Sequence, residues 1–320
     1  MRFLALGFAL LCASTSQSRA QEYPSRTITI IVGLAAGGVS DLMTRFYADV
    51  VSKKIDQKIV IENRPQGSGA VAAMALQNAA PDGYTLLVFP IAQHATIPAL
   101  NKNVSYDPVK GNQPISLLFS IATLVVVPAD SPIKSVNQLA DFAKKKEGGL
   151  SFGSPGLGTP AHLSGAKLLD TLKVPVQYVH YRGAPPMMTD LLPGRLDAAV
   201  VNSLTAKPFL LDKKIRALIS DASEKWPVAP EIPLLRDIGL AEATLPSWFG
   251  LAAPPGTPPA IIKKLNEAFV AAGKDSELRR RIEESGLSVE TSTPEAMAKM
   301  MIKDNEDIAQ LVNRLNLQKQ

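Results

Sequence analysis

Residues 27–62 read TITIIVGLAAGGVSDLMTRFYADVVSKKIDQKIVIE, and this stretch decides the fold class. Its first six residues are typical of a strand, and apolar residues then recur at helical spacing through Leu42, Phe46 and Val50. The closing KIVIE is a second strand. A strand, a helix and another strand in this order form a right-handed crossover in a parallel sheet. The stretch therefore predicts an α/β fold.

The same rhythm continues along the chain. A helix in AVAAMALQNAA, a turn at 81–83 and a strand in YTLLVF complete a β-α-β-α-β run. The segments TLVVVP, LSFG, VQYVHY, LDAAVV and IRALIS supply later strands, with helices between them. The last part is mainly helical, and Thr257-Pro258 and Thr293-Pro294 each have the pattern of an N-cap followed by proline in the first turn.

Two apolar segments can carry the chain between two lobes, TLVVVP at 123–128 and SWFGLAAP at 247–254. A chain of 320 residues also favours two domains over one. If both segments cross, residues 21–122 and 248–320 form a discontinuous first lobe. The second lobe then comprises residues 123–247.

Residues 1–20 have the pattern of a cleaved secretory signal peptide. Arg2 precedes the apolar run FLALGFALLCA, and Ser18-Arg19-Ala20 supplies small residues at the cleavage positions. The alternative is a lipoprotein anchored at Cys12, which Leu11 disfavours because such processing requires a small residue there. Cys12 is the only cysteine and lies within this segment, so we expect an exported mature chain that is free of disulfides.

The charge of the chain argues against a nucleic-acid partner. Removal of Arg2 and Arg19 lowers the formal net charge from +5 to +3, and no basic stripe is interleaved with aromatic residues. The hydrophobic fraction of 46% is typical of a soluble globular protein with enough apolar surface for two cores.

Two glycine-rich loops, one in each predicted lobe, lie between a strand and a helix. They are GLAAGGVSD at 33–41 and FGSPGLGTPAHL at 152–163, where Thr159 is a good N-cap and Pro160 suits the first helical position. Free backbone N–H groups and the helix dipole at such turns favour an anion. The alternative is that the glycines only make tight turns. Their pairing favours a binding role.

Other functions lack their motifs. Pro160 interrupts the loose G-x-G-x-x-A match at 156–161, no acidic residue ends the following strand, and no P-loop occurs, which argues against nucleotides. No G-x-S-x-G elbow occurs either. His94, His162 and His180 lie far apart in sequence, without metal-ligand spacing. We therefore expect no enzyme activity, no cofactor and no metal.

Seven motifs, spread in order over nearly the whole mature chain, resemble one family. They are AAGGVSDLMTR, IENRPQGSGA, PDGYTLL, YDPVK, FGSPGLGTPAHL, YRGAPPMMTDLLPGRLD and WFGLAAPPGTPPAIIKKLNEA. Together they resemble the Bug family of periplasmic solute-binding proteins, the receptor subunits of tripartite tricarboxylate transporters. The resemblance implies a two-lobed periplasmic binding protein fold of type II. Each lobe would have a mostly parallel sheet flanked by helices, with two crossing segments as the hinge.

The resemblance also implies a monomer that binds a small aliphatic or aromatic carboxylate between its lobes and delivers it to a membrane permease. Backbone amides, hydroxyl groups and ordered water would hold the carboxylate. The implied ligand-binding residues are Ala36, Gly37, Gly38 and Asp41 in the first loop, Ser154, Gly156, Gly158, Thr159 and His162 in the second, and Pro90, Gln93, His94, Asn202 and Ser203 around the rest of the pocket.

Some positions depart from the family pattern and leave the ligand open. Ala35-Ala36 stands where a proline is usual, Gln66 replaces a glycine, and Pro193 replaces a small residue. Two alternatives to transport remain at this point. One is a sensor that presents a bound carboxylate to a membrane signalling protein, and the other is an exported enzyme on the same fold.

Overall fold

The computed structural model describes residues 23–101, 103–245 and 247–317, so the predicted signal peptide lies outside the described residues. The strands are β1 (Ile28–Val32), β2 (Ile59–Asn63), β3 (Thr85–Pro90), β4 (Gln113–Ile121), β5 (Thr123–Pro128), β6 (Leu150–Ser154), β7 (Val176–His180), β8 (Ala198–Asn202), β9 (Ile215–Ser220), β10 (Ser247–Ala253) and β11 (Ser288–Val289). The helices are α1 (Val39–Ile55), α2 (Ala70–Gln77), α3 (Ile97–Leu100), α4 (Val136–Lys145), α5 (Pro160–Leu172), α6 (Ala184–Leu191), α7 (Ser203–Leu211), α8 (Pro259–Gly273), α9 (Ser276–Glu284) and α10 (Pro294–Arg314).

These strands form two separate sheets flanked by helices, which confirms the α/β fold. The first sheet has the order β11-β4-β10-β3-β1-β2 and the second β7-β6-β8-β5-β9. The strands β1, β2 and β3 run parallel, as do β6, β7 and β8. The remaining pairs involve β4, β5 or β10 and are antiparallel, so each sheet is mixed. The parallel strands are therefore those that alternate with helices along the chain. The strands next to the crossings, β4, β5 and β10, form the antiparallel pairs.

Each sheet is buried on both faces. In β1, Ile28 and Ile30 pack in a core with α1, α8 and α9, whereas Ile31 packs with α2 and α10. In β5, Val125 packs with α4 and α5, whereas Val126 packs with α6 and α7. Burial on both faces requires the nearly continuous apolar runs that mark these strands in the sequence.

The chain passes from the first sheet to the second with one residue, Ala122, between β4 and β5. Asp221 directly follows β9, on the path back to β10. Its buried carboxylate accepts hydrogen bonds from the amide of Thr123 (N to Oδ1, 2.6 Å) and from the hydroxyl of Ser164 (Oγ to Oδ2, 2.8 Å). The carboxylate of Asp221 thus connects the start of β5, where the chain enters the second sheet, to the segment that leads from β9 back to β10. The lobe boundaries at 122/123 and 247/248 stay a prediction.

Local details differ from the sequence prediction at three elements. Helix α8 begins at Pro259, with Pro258 as its N-cap, because the hydroxyl of Thr257 donates to the carbonyl of Pro254 instead of capping the helix. The sequence pattern does not predict α7, which contains Pro208, or β4, in which serines interrupt the apolar residues. Among the residues that the structure describes, no helix combines the length and apolar composition needed to cross a membrane.

Replacement of Asp221 by asparagine is expected to change how stability depends on pH. Burial raises the pKa of Asp221 to about 7, whereas in the unfolded chain an aspartate titrates near about 3.9. Between these values the unfolded state releases a proton that the folded state keeps, so this group's contribution to stability is present at about pH 4 and is lost by about pH 7. Asparagine can accept from Thr123 and donate to Ser164 without titrating.

Urea unfolding between about pH 5 and pH 8 tests this prediction. The free energy of unfolding of Asp221→Asn, relative to the parent protein, is expected to increase as the pH rises. Parallel pH profiles for the two proteins would contradict it.

Candidate functional site

Both glycine loops lie at the carboxyl-terminal edge of a set of parallel strands. In the first lobe the segments after β1, β2 and β3 share one edge, and in the second lobe those after β6, β7 and β8 do so. In open α/β sheets, ligands bind in crevices outside this edge. The topology therefore places the two loops where a binding site is expected.

The first loop is organised by Asp41. Gly37 adopts a left-handed conformation (φ +77°), and its amide donates to Asp41 Oδ2 at 2.9 Å. Burial alone would raise the pKa of Asp41, but hydrogen bonds from Arg45 and from the Gly37 amide outweigh it and lower the pKa. Asp41 is therefore ionised at neutral pH and occupies one of the amides that the sequence assigned to a ligand.

Other amides of this loop stay available. Gly38 is the N-cap of α1 and has no side chain to cap the first turn, while its own amide donates to the carbonyl of Ala35 at 3.2 Å. Within the described residues, the amides of Val39 and Ser40 have no acceptor, and the buried hydroxyl of Ser40 has no partner. Ala36 is exposed next to them. These groups can donate hydrogen bonds to an anion at the helix N-terminus.

Gln93 connects the three loops of the first lobe. Its Nε2 donates to the carbonyl of Gly69 at 3.0 Å, and its buried Oε1 has no partner in the described chain. A Cβ added at Gly33 or at Gly69 would lie 3.2 Å or 3.1 Å from Oε1, so the neighbouring atoms would have to shift slightly, and at Gly69 the left-handed φ of +89° disfavours a side chain as well. Pro90, the last residue of β3, lies half-buried beside this segment.

His94 is packed inside the first lobe. It is 1% exposed and packs between Phe89 and Trp248. Its Nδ1 lies 2.7 Å from the carbonyl oxygen of Pro108, and Asn305 Nδ2 lies 2.6 Å from its Nε2. Both ring nitrogens are thus occupied within the protein, so we leave His94 out of the proposed ligand contacts.

The second loop is held by hydrogen bonds of its own. Gly158, with φ of +72°, donates its amide to His162 Nδ1 at 3.0 Å. The hydroxyl of Thr159 donates to the carbonyl of Gly156 at 2.8 Å and accepts from the amide of His162 at 3.2 Å, which caps α5. The amides of Gly156 and Leu157 have no acceptor among the described residues. They are the donors of this loop that a ligand can reach.

The structure brings together two histidines that the sequence analysis treats separately. The rings of His162 and His180 are 4.7 Å apart, and Ser154 Oγ lies 2.7 Å from His180 Nδ1. Burial, together with the neighbouring His180, lowers the pKa of His162 to about 4, and burial also lowers the pKa of His180. The parallel pairing of β6 with β7 places Ser154 opposite His180, so a prediction of that strand pairing from the sequence would have located this contact.

Asn202 ends β8 and Ser203 begins α7, and Ser203 bonds across to the first lobe. Asn202 Oδ1 caps α7 by accepting from the amide of Thr205 at 2.8 Å. Ser203 donates its amide to the carbonyl of Ala122 at 2.8 Å and its hydroxyl to the carbonyl of Gly286 at 2.5 Å. Because both donors of Ser203 are used at the crossing, its geometry supports a hinge role better than a ligand contact. Across the described residues, no three His, Cys, Asp or Glu side chains come together as a metal site.

Comparison with known proteins points to one family. A family model described as "Tripartite tricarboxylate transporter family receptor" matches residues 43–317. A UPF0065 protein of Cupriavidus necator is 35% identical over 270 residues, which cover 84% of this chain and 80% of the relative. Protein BugT of Bordetella pertussis is 28% identical over 268 residues, covering 79% and 82%.

Solved structures show the same fold. A TctC solute-binding protein from Polaromonas, described as having no ligand, has a TM-score of 0.82 at 25% identity and covers 91% of this chain and 99% of its own. MatC from Rhodopseudomonas palustris with bound malate has a TM-score of 0.67 at 31% identity, covering 91% and 100%. A second R. palustris protein, with adipate, has a TM-score of 0.70 at 28% identity, covering 91% and 98%.

The imidazole of His162 is expected to stay neutral well below its ordinary pKa. Protonation of Nδ1 would remove the acceptor of the Gly158 amide and place a charge in a buried position. Long-range ¹H–¹⁵N NMR spectra should show a midpoint near pH 4 for this ring. The spectrum of His162→Asn, in which Oδ1 can accept from Gly158, identifies the signal. A midpoint near about 6.5, the ordinary value, would contradict the described geometry.

Proposed function

This chain belongs to the tripartite tricarboxylate transporter receptor family, and on that basis we propose that it is an exported receptor that binds a small carboxylate between its two lobes. The pair of glycine loops carries this proposal. Each loop lies at the carboxyl-terminal edge of parallel strands and has amides without an internal acceptor. An anion is the ligand that such donors stabilise.

Amide donors are strong enough to account for useful affinity. A hydrogen bond to a charged group stabilises by about 1.5–3 kcal/mol. The dipole of a helix adds about 0.3–1 kcal/mol at an exposed N-terminus and up to about 2 kcal/mol where it is partly buried. Donors from both loops acting on one carboxylate can therefore approach the roughly 8 kcal/mol of a micromolar complex, after the cost of ordering the ligand.

The comparisons support an open conformation for the described chain. The ligand-free Polaromonas structure has the highest TM-score of the three although its sequence identity is the lowest. A rotation of one lobe against the other lowers a whole-chain TM-score without changing either lobe. We infer that a ligand which contacts both loops shifts this chain toward a closed form.

Delivery to a membrane permease is the role that the family description favours. The closed form would be the form that the permease binds. The signal-like segment at 1–20 supports export to the periplasm, and the chain would act there as a monomer. A sensor for a membrane signalling protein is the alternative, and uptake assays in cells without the permease separate the two roles.

Binding without turnover fits the site better than catalysis. Ser154 and His180 resemble a nucleophile and its base, since Ser154 Oγ lies 2.7 Å from His180 Nδ1. Ser154 is fully buried, however, and does not line the space between the lobes next to the second glycine loop, so a substrate there does not meet its hydroxyl. A nucleophilic serine must be able to approach the reacting carbonyl.

A carboxylate is expected to raise the melting temperature of the mature protein. Ligands that bind only the folded state stabilise it by mass action. Thermal-shift measurements would compare organic acids with their primary amides, which keep the shape but remove the charge. Stabilisation by at least one acid and not by its amide is expected. The absence of any acid-dependent shift over a broad panel of mono-, di- and aromatic carboxylates would contradict the proposal.

Val39→Pro is expected to weaken carboxylate binding by about 10- to 100-fold, because it removes one amide donor worth about 1.5–3 kcal/mol. Val39 is the first residue of α1, where proline is tolerated, and Gly38 has an extended conformation (φ −74°, ψ 171°) that can precede proline. Affinity is measured by calorimetry with a carboxylate identified in the thermal-shift panel.

Ser276→Pro is the matched control for this variant. Ser276 is the exposed first residue of α9, and the extended Asp275 precedes it, away from both glycine loops. Both variants are expected to keep the free energy of unfolding within about 1 kcal/mol of the parent. Equal affinities for the two variants would remove the α1 N-terminus from the site.

A further inference from the structure

A cavity of about 970 Å³ lies between the two lobes, next to the second glycine loop. The second lobe contributes residues 157–160 to its wall. The first lobe contributes the segment that follows β3, including Thr96 and Leu100, and the end of the described chain at Asn316 and Leu317. This volume is at the upper end of the range of small-molecule sites.

The part of the cavity wall that the structure describes is uncharged and mixes apolar residues with neutral polar ones. Among the described residues that line it, none is charged, and the polar ones are threonines and asparagines. Leu157, at the tip of the second loop, is 60% exposed there. Thr96 is only 3% exposed, and its Oγ1 has no hydrogen-bond partner within the described chain. A buried hydroxyl without a partner costs free energy, so a ligand group that bonds to it would be favoured.

We propose that this cavity extends the carboxylate site and takes the uncharged, apolar body of a monocarboxylate, an aryl or medium-length alkyl chain with a hydroxyl group near its far end. This inference rests on the proposed function. It connects to that function through Gly158 and Thr159, which belong both to the second loop and to the cavity wall. The carboxylate would remain at the loop amides while the chain runs along Leu157 and Leu100 toward Thr96.

The chemistry of the wall disfavours a second carboxylate at the far end. The described lining residues offer no cationic partner, so a carboxylate placed against them loses its hydration and gains no opposite charge. Malate and adipate, which the neighbouring structures contain, both carry two carboxylates. We therefore expect this chain to prefer longer monocarboxylates over dicarboxylates of the same length.

Calorimetric titration of the mature protein with butanoate, hexanoate, octanoate and adipate tests the inference. Burial of each methylene is expected to raise the affinity about fourfold along the monocarboxylate series. Hexanoate should bind at least about tenfold more tightly than adipate. Equal affinities along the series, or tighter binding of adipate, would overturn the proposal.

Two variants and one control variant test whether the gain in affinity with ligand chain length arises in this cavity. Leu157→Ala, which keeps the main-chain amide, is expected to lower the affinity for octanoate about fivefold and that for butanoate by a smaller factor. Thr96→Val should lower the affinity for 8-hydroxyoctanoate about tenfold relative to octanoate. Leu211→Ala is the control, because Leu211 is also 60% exposed but does not line the cavity. Equal effects at Leu157 and Leu211 would overturn the assignment of the cavity.

The possible outcomes distinguish the cavity proposal from the proposed function on which it rests. Binding of butanoate and adipate without any gain from chain length would overturn the cavity proposal and leave carboxylate binding in place. Failure of every acid, including the broad panel described above, would overturn both.

Discussion

Parallel strands present their carboxyl ends, and the amides that follow, along a single edge of a sheet. In this chain that constraint acts twice, on β1–β3 and on β6–β8, and a crossing of one residue at Ala122 keeps the two sheets adjacent. The loops that carry free donors are therefore set by topology. Their side chains mainly fix the loop shapes, as Asp41 does for Gly37 and His162 does for Gly158.

In the proposed site, the titratable side chains do not bind the ligand, and backbone amides recognise its charge. Asp41 is ionised but bonded to Gly37 and Arg45, and His162 in the second loop and its neighbour His180 in β7 have lowered pKa values that keep them neutral. Selection for an anion is thus left to backbone dipoles, which do not titrate. Such a site needs no cationic side chain whose desolvation would have to be offset on binding.

Sequence reasoning succeeded where the signal was local. The strands TLVVVP and IRALIS have the observed bounds of β5 and β9, and the Thr159 cap is present as expected. It did not find the contact between His162 and His180, because these residues belong to different elements, α5 and β7, which only the tertiary fold brings together. That His94 and Ser203 bond inside the protein also depends on tertiary contacts that no local pattern encodes.

The bonds of Ser203 have a consequence for how receptors of this shape can diversify. Both of its partners, at Ala122 and Gly286, are main-chain carbonyls, which every residue type supplies. Substitutions in the glycine loops can therefore change which carboxylate is bound without disturbing the two hydrogen bonds of Ser203. A change of ligand preference therefore requires no compensating change at this joint between the lobes.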